Sequence, residues 1–249
     1  MSTALFKTGR LPKLFDLTEP INSRSPRSHD QPPVEYDATR WYSRNGSVVH
    51  TVKMSLHIGT HIDTAALYYP DGETVDRVPL DRLVGPALVI DCRGLGNWVV
   101  VDSDFLNKNA GDLRKEESIV FCSGWHRYYY DEQKYELYHP GLDKSGVDWL
   151  AERGPKAVGA DAPSSEHIFM RYRRWKDLRP DVFVSEPDRA RFPTSYAHKT
   201  LLPRGIVMVE KIGGEIESVV GRRVLLFVMP IICEGMEAAP ARVMALPLD

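Results

Sequence analysis

Cysteine is scarce in this chain: only Cys92, Cys122 and Cys233 occur among its 249 residues. Their positions follow neither the paired spacing of a structural zinc site nor the regular pattern of a disulfide framework. Buried free thiols in a reducing compartment fit this usage better, so a cytoplasmic protein is expected. The first 13 residues contain no continuous apolar segment, and no signal peptide is expected.

Long apolar runs and an excess of charge of one sign are also absent. No segment approaches the roughly 20 apolar residues that a membrane-spanning helix needs. The formal net charge is only −2, which gives no reason to expect a nucleic acid or an anionic membrane as partner. Hydrophobic residues make up 43% of the chain, enough for the substantial core of a globular protein.

The signatures of a side-chain nucleophile are missing as well. Gly-x-Ser-x-Gly does not occur, and no base stands beside Cys122 in the sequence. These absences fit an enzyme that would use an activated water molecule instead of a serine or cysteine nucleophile.

The most informative stretch is His57-Ile58-Gly59-Thr60-His61-Ile62-Asp63. Two imidazoles and a carboxylate form a ligand set that suits a divalent cation such as zinc or manganese. In an extended segment His57, His61 and Asp63 point to the same side, whereas on a helix Asp63 would turn away from the histidines. We therefore predict three metal ligands on a strand or tight loop. The alternative is a pair of ordinary loop histidines near a capping aspartate.

This pattern, His-x-Gly-Thr-His-x-Asp, resembles the signature of the metal-dependent cyclase family, which includes bacterial kynurenine formamidase and isatin hydrolase. The family pattern continues with a proline two residues after the aspartate and a histidine four residues after it; Ala65 and Leu67 stand at those positions here. In the formamidases that histidine serves as general acid and base. The resemblance thus implies an intact metal half of the site and a missing proton-transfer residue.

A second segment extends the resemblance. His198 and Glu210 lie in the pattern His-x-x-Leu-Leu-x-x-Gly-Ile-x-x-x-Glu, which matches the second metal-binding segment of the family. A short helix is expected to begin at His198 and to end at Gly205, followed by a strand with Glu210 at its end. The resemblance implies that His57 and His61 bind one metal and that His198 and Glu210 hold a second. Asp63 would bridge the two metals. The expected cofactor is one or two divalent ions, zinc or manganese.

Residues near the predicted strand ends are candidates for the substrate pocket. Trp125 follows the apolar segment 118–122, and the family has a similar Gly-Trp at this place, so Trp125 is predicted to contact substrate. Leu67 and Tyr69, just after the metal motif, are predicted to line the same pocket. Residues 19–39, rich in proline, serine and charge, should form a long irregular loop. The resemblance implies that this loop closes over substrate; the alternative is a surface connector.

The loss of the family's acid/base histidine leaves the proton-transfer group open. Glu210, His126, Tyr69 and a second water on the metal are the candidates. For His126 the alternative is an ordinary histidine on a surface loop.

Short apolar segments near residues 87–91, 118–122, 157–161, 206–210 and 224–229 are typical of buried strands, and residues 144–153 have the periodicity of an amphipathic helix. The helices are fewer than a doubly wound fold needs. We predict an α/β fold with a mixed, partly closed central β-sheet and flanking helices, the swivelling β/β/α type of the cyclase family. Residues 1–249 are expected to form one domain, with an arginine-rich insertion at 166–193.

The function implied by the resemblance is metal-dependent hydrolysis. A bound divalent ion lowers the pKa of its water to about 7 and polarises a carbonyl group. The bond attacked would be the C–N bond of a small amide or cyclic imide, or the C–O bond of a lactone. Two alternatives stay open: a lyase or dehydratase on the same scaffold, and a non-catalytic relative that keeps the metal. The expected partners are a small-molecule substrate and other copies of the chain, in a dimer or tetramer.

Overall fold

The computed structural model of the chain describes residues 12–171 and 175–248. The strands in chain order are β1 (Phe15–Asp16), β2 (Glu35–Arg40), β3 (Val49–Lys53), β4 (His61–Asp63), β5 (Val84–Asp91), β6 (Val100–Val101), β7 (Ser118–Cys122), β8 (Gly141–Leu142), β9 (Ala157–Ala160), β10 (Val207–Glu210), β11 (Arg223–Pro230) and β12 (Ala238–Pro247). The α-helices are α1 (Tyr42–Asn45), α2 (Leu80–Leu83), α3 (Ser103–Ala110), α4 (Glu132–Tyr138), α5 (Lys144–Arg153) and α6 (Tyr196–Leu201).

The main sheet closes on itself. Its strands follow the order β12, β11, β5, β7, β9, β10 and β4, and β4 pairs back with β12. Within β4, Ile62 lies opposite Val209 of β10 on one side and opposite Ala239 of β12 on the other. Strands β5, β7, β9 and β10 run parallel, and the other contacts of the ring are antiparallel. The predicted mixed central sheet with flanking helices is confirmed, and the ring is complete where the prediction had it partly closed.

The wall of this barrel is buried on both faces, which explains its nearly continuous apolar strands. Val89 and Val120 belong to the core inside the barrel, whereas their neighbours Leu88 and Ile119 belong to a second core under the helices. Alternate residues of each strand therefore pack into different apolar layers, one inside the barrel and one under the helices.

The helices cover the outer layer of the wall. Helix α5 spans the predicted residues 144–153; it begins where the Asp143 side chain accepts a hydrogen bond from the Gly146 amide and ends at Gly154. Helix α6 packs on α5 and β10. It begins two residues before His198, continues as a 3₁₀ turn over Leu202–Arg204 and ends at Gly205, as predicted. None of the helices that the structure describes combines the length and hydrophobicity needed to cross a lipid bilayer.

Two segments differ from the sequence prediction. Residues 35–40, within the expected loop, form β2, which pairs with β3 in a separate two-stranded sheet. Strand β3 therefore does not lead into the metal motif, and residues 54–60 form an irregular connection to β4. Residues 48–56 are rich in strand-forming residues, which favours a strand that leads directly into the ligands, but composition does not show which partner a strand will have.

We predict that copies of the chain contact one another through the hairpin formed by β2 and β3. An isolated two-stranded sheet is marginally stable in water, and every residue of β3 is exposed. We expect the wild-type protein to sediment as a dimer or tetramer at micromolar concentration. The variant Tyr42→Ser/Val49→Ser/Val52→Ser should sediment as a smaller species with an unchanged circular dichroism spectrum, because it removes exposed apolar surface and no core contact.

The control is Val184→Ser, which changes an even more exposed apolar residue outside the hairpin and should keep the wild-type assembly. A wild-type monomer at micromolar concentration would contradict the expected oligomer.

Candidate metal centre

Strand pairing places two of the predicted ligands side by side. His61 of β4 is the cross-strand neighbour of Glu210 of β10, and cross-strand neighbours project from the same face of a sheet. Asp63 shares this face because alternate residues of a strand do. Ile62 and Val209 point into the barrel, so the three polar side chains lie on the outer face, beside α6.

The remaining two predicted ligands come from outside the strands. His57 precedes β4, and Gly59 between them has φ +60°, where a Cβ would lie 2.6 Å from Cγ1 of Ile21. His198 lies on α6, with its Nε2 3.5 Å from Oδ2 of Asp63 and 3.4 Å from Oε1 of Glu210. The fold thus brings the two motif segments together.

The distances within this cluster are those of atoms that share a cation. His61 Nε2 is 3.6 Å from Asp63 Oδ1 and 3.6 Å from Glu210 Oε2, which is too long for a hydrogen bond. Two ligands that each lie about 2.1 Å from a tetrahedral zinc ion are about 3.4 Å apart. His57 approaches more closely, with Nδ1 2.9 Å from Asp63 Oδ1.

Missing hydrogen bonds within the cluster also indicate a metal site. His61 Nε2, Asp63 Oδ1 and Glu210 Oε1 are buried, and none makes a well-directed hydrogen bond to a residue that the structure describes, although His57 Nδ1 lies 2.9 Å from Asp63 Oδ1. Buried polar atoms nearly always have a partner, and two buried carboxylates repel each other. A divalent cation would satisfy all three atoms, so the residues present fit a metal.

Two of the histidines are held by neighbours on their second ring nitrogen. His61 Nδ1 lies 2.8 Å from the Gly59 carbonyl oxygen, and His198 Nδ1 lies 3.1 Å from Oε2 of Glu166. Such contacts keep the proton on Nδ1 and leave Nε2 for the metal. Glu166 is itself fixed, because its Oε1 accepts a hydrogen bond from the Ala197 amide. Sequence reasoning missed Glu166, whose local sequence does not distinguish it from a surface glutamate.

The charges of the cluster shift one another's pKa. Burial works against the charge of His57, but the Asp63 carboxylate outweighs it and raises the pKa to about 10. Burial dominates at His61 and lowers its pKa. Burial likewise opposes ionisation of Asp63, yet His57 and His61 hold its pKa well below the ordinary value. The Asp63 carboxylate is therefore ionised at neutral pH, the form that binds a cation.

A cavity of about 480 Å³ opens beside the cluster. Ligand sites for small molecules typically measure about 300–1,000 Å³. All five predicted ligands line the cavity, together with apolar and polar groups that include Leu67, Tyr68, Met170, Arg171, Ser28 and Gln31. The last two belong to the loop that was predicted to close over substrate.

Comparison with known proteins identifies the family of this chain. The sequence profile of the Cyclase family matches residues 15–167. The chain belongs to the cyclase family. The kynurenine formamidase of Erythrobacter litoralis is 29% identical over 156 residues, which cover 61% of this chain and 67% of that protein.

Solved structures show the same fold. Isatin hydrolase A of Labrenzia aggregata superposes with a TM-score of 0.80 over 99% of this chain and 97% of that chain, at 17% identity. A protein from Bacillus stearothermophilus, described as a predicted metal-dependent hydrolase, gives 0.71 over 95% and 98%, at 20% identity. The profile match ends at residue 167 and therefore does not test whether residues 166–193 are an insertion. The insertion stays a prediction.

Of the three residues predicted to contact substrate, only Leu67 lines the cavity. Tyr69 lines a separate cleft, and its hydroxyl donates to the Lys199 carbonyl. The adjacent Tyr68 takes the expected place, with its ring 5.7 Å from that of His198. The 3₁₀ turn over Ala65–Leu67 sets which tyrosine faces the cavity, and the sequence does not show where that turn ends.

Trp125 and His126 do not reach the cavity either. Trp125 is buried, and its Nε1 donates to the Tyr135 carbonyl. His126 Nδ1 lies 2.9 Å from Asp161 Oδ2, and its Nε2 lies 3.2 Å from Glu217 Oε1. The turn at Gly124, with φ +77°, directs both side chains away from the metal ligands. They hold the segment after β7 in place.

Asp161, His126 and Cys122 also have metal-ligand side chains close together. However, Asp161 already accepts hydrogen bonds from the amides of Ser123 and Trp125 in addition to its contact with His126. Burial raises the pKa of the Cys122 thiol to about 12, so without a metal the thiol is protonated at neutral pH.

The structural role of His126 predicts a pH-dependent contribution to stability. Burial lowers the pKa of His126, but Asp161 and Glu217 outweigh burial and raise it above the ordinary 6.5. Because the folded-state pKa is raised, the ionic stabilisation is complete below about pH 6.5 and is lost as pH rises through the folded-state value. The difference in unfolding free energy between wild type and His126→Gln should therefore shrink from pH 6 to pH 9, as measured by urea titration.

Metal content is the control for this variant. His126→Gln should bind as much metal as the wild type, because His126 lies outside the cavity. A loss of metal at equal stability would assign His126 to the metal centre after all.

Proposed function

We propose that this cyclase-family protein is a metal-dependent hydrolase that cleaves the C–N bond of a small amide or cyclic imide, or the C–O bond of a lactone. The observation that carries the proposal is the convergence of five metal-binding side chains, from two distant segments, at the wall of a cavity sized for a small molecule. The formamidase and the isatin hydrolase to which the chain is similar support the same class of reaction.

The ligands we assign are His57, His61, Asp63, His198 and Glu210. Asp63 belongs to both metal-capable groups of the cluster, so the site offers room for one ion or for two that share this carboxylate. Imidazole nitrogen together with carboxylate oxygen suits zinc and manganese alike. When bound, the ion supplies a water of lowered pKa and polarises the carbonyl under attack.

The chain's own residues orient the ligands, form the cavity wall and transfer the proton. Glu166 and the Gly59 carbonyl keep the rings of His198 and His61 in one orientation. Leu67 and Met170 form an apolar part of the cavity wall that excludes water from one side of the substrate. Leu67 cannot exchange a proton, so we assign proton transfer to Glu210.

Substitution of single ligands tests the metal centre. His57→Ala and Asp63→Ala should each lower bound zinc or manganese, measured by mass spectrometry of the purified protein, and should abolish turnover on a panel of formamides, cyclic imides and lactones. Each substitution removes one ligand atom from the cluster, and Glu237, whose Oε1 lies 3.3 Å from Nε2 of His57, does not line the cavity. The matched control is His50→Ala, an exposed histidine on β3, which should keep both metal and activity.

Full metal content in Asp63→Ala would contradict the ligand assignment. Bound metal without turnover in the wild type, on every compound of the panel, would identify a non-catalytic relative. Product masses separate hydrolysis, which adds one water, from elimination by a lyase.

Leu67→His tests the missing acid/base group. A general acid or base typically contributes about 10²–10⁴-fold, so the variant should raise the rate of formamide hydrolysis within that range. The gain should disappear below about pH 6.5, where imidazole takes up a proton. Leu67→Asn is the control for polarity alone and should give no such gain; equal effects of the two substitutions would exclude a proton-transfer role for position 67.

A further inference from the structure

Arg171 stands at the wall of the same cavity, and most of its hydrogen-bond donors find no acceptor among the described residues. Its side chain is only 12% exposed. One hydrogen bond is formed within the described part of the chain, from Nη2 to Oγ of Ser28 at 2.9 Å. A guanidinium group has five N–H donors, so four find no protein acceptor there. The Nη1 atom is buried and makes no hydrogen bond to a described residue.

The ion pair of Arg171 is long and is shared with a second cation. Arg171 and Lys211 share a single buried carboxylate, that of Glu136. Lys211 Nζ lies 3.4 Å from Glu136 Oε1, and Arg171 Nη1 lies 3.9 Å from Oε2, which is too far for a hydrogen bond. Asp30, also at the cavity, is exposed to solvent and contributes less to neutralising a buried charge.

The guanidinium is also within electrostatic reach of the metal ligands. Burial opposes its charge, but Glu136 and then Glu210 outweigh burial and raise the pKa of Arg171. Arg171 and Glu210 line one cavity. A molecule in the cavity can therefore face the metal ligands with one group and Arg171 with another.

We propose that Arg171 selects substrates that carry a carboxylate separate from the bond that is cleaved. This inference rests on the proposed hydrolase function and specifies its substrate class. The substrate carboxylate binds the guanidinium, whose planar fork matches two carboxylate oxygens, while the amide or lactone carbonyl reaches the metal ligands. The carboxylate supplies acceptors for the guanidinium donors that have none among the described residues.

The test compares two formamides that differ by one group. N-formylanthranilate carries a ring carboxylate, and formanilide has none. Binding is measured by calorimetry on the protein as purified and after metal removal, together with kcat/KM for formate release. The wild type should bind N-formylanthranilate about 10–100-fold more tightly than formanilide, the range for a hydrogen-bonded charge pair. Arg171→Gln should remove this difference and leave formanilide unchanged.

Two further variants keep the result interpretable. Arg171→Gln leaves Lys211 and Glu136 as a balanced pair, so the fold should persist, and Arg171→Lys should retain part of the preference because it keeps the charge. The matched control is Arg179→Gln, which removes a guanidinium that pairs with Asp181 outside the cavity. This control should behave as the wild type.

Three results would overturn the proposal. The first is equal binding of the two formamides by the wild type, and the second is equal weakening of both by Arg171→Gln. The third is weaker binding of phthalamate alone, the carboxylate product of the neutral imide phthalimide and a third ligand in the calorimetry, which would assign Arg171 to the product. If the protein holds no metal and releases no formate, the hydrolase function fails, while the calorimetric preference in the metal-free protein still decides the role of Arg171.

Discussion

The pairing of β4 with two partners is the constraint on which the site depends. This strand has three residues, and each lies opposite a residue of β10 on one side and of β12 on the other. The pairing closes the barrel, and the same register sets His61 beside Glu210. Shifting the register by one residue would turn His61 and Asp63 into the apolar interior and Ile62 out of it. Apolar packing inside the barrel thus fixes the positions of polar groups outside it.

The charge pattern follows from this placement. The wall presents two carboxylates to a buried space, where they repel each other, and imidazoles surround them from the loop before β4 and from α6. Glu166 contacts Nδ1 of His198, the ring nitrogen opposite the one that faces Asp63 and Glu210. This glutamate lies five residues before Arg171 in the chain. One stretch after β9 therefore supports the metal ligands and supplies the cationic wall of the cavity.

Local sequence patterns predicted much of this arrangement. Strands β5, β7, β9, β10 and β11 and helix α5 were recognisable because each buries a continuous apolar run or stripe. The spacing of His57, His61 and Asp63 pointed to a metal without any knowledge of partners. Strand β12 was not predicted, because alanine and proline are poor strand formers and only pairing with β11 and β4 makes this segment extended.

The direction of single side chains was harder to predict. Tyr68 and Tyr69 are adjacent, and a 3₁₀ turn decides which of them reaches the cavity. Trp125 and His126 follow a buried strand, but the left-handed turn at Gly124 carries them to Asp161 and Tyr135. Glu166 becomes important only through its contact with a helix that begins 30 residues later in the chain. Such contacts are set by tertiary structure and leave no local pattern.

The way the barrel closes also has a consequence for folding. The β12 residues that flank β4 lie about 175 positions after it in the chain. Strand β4 therefore gains one of its two partners only when a very long loop has closed. Contacts so distant in sequence are slow to form. The geometry of the candidate metal ligands is thus fixed late in folding.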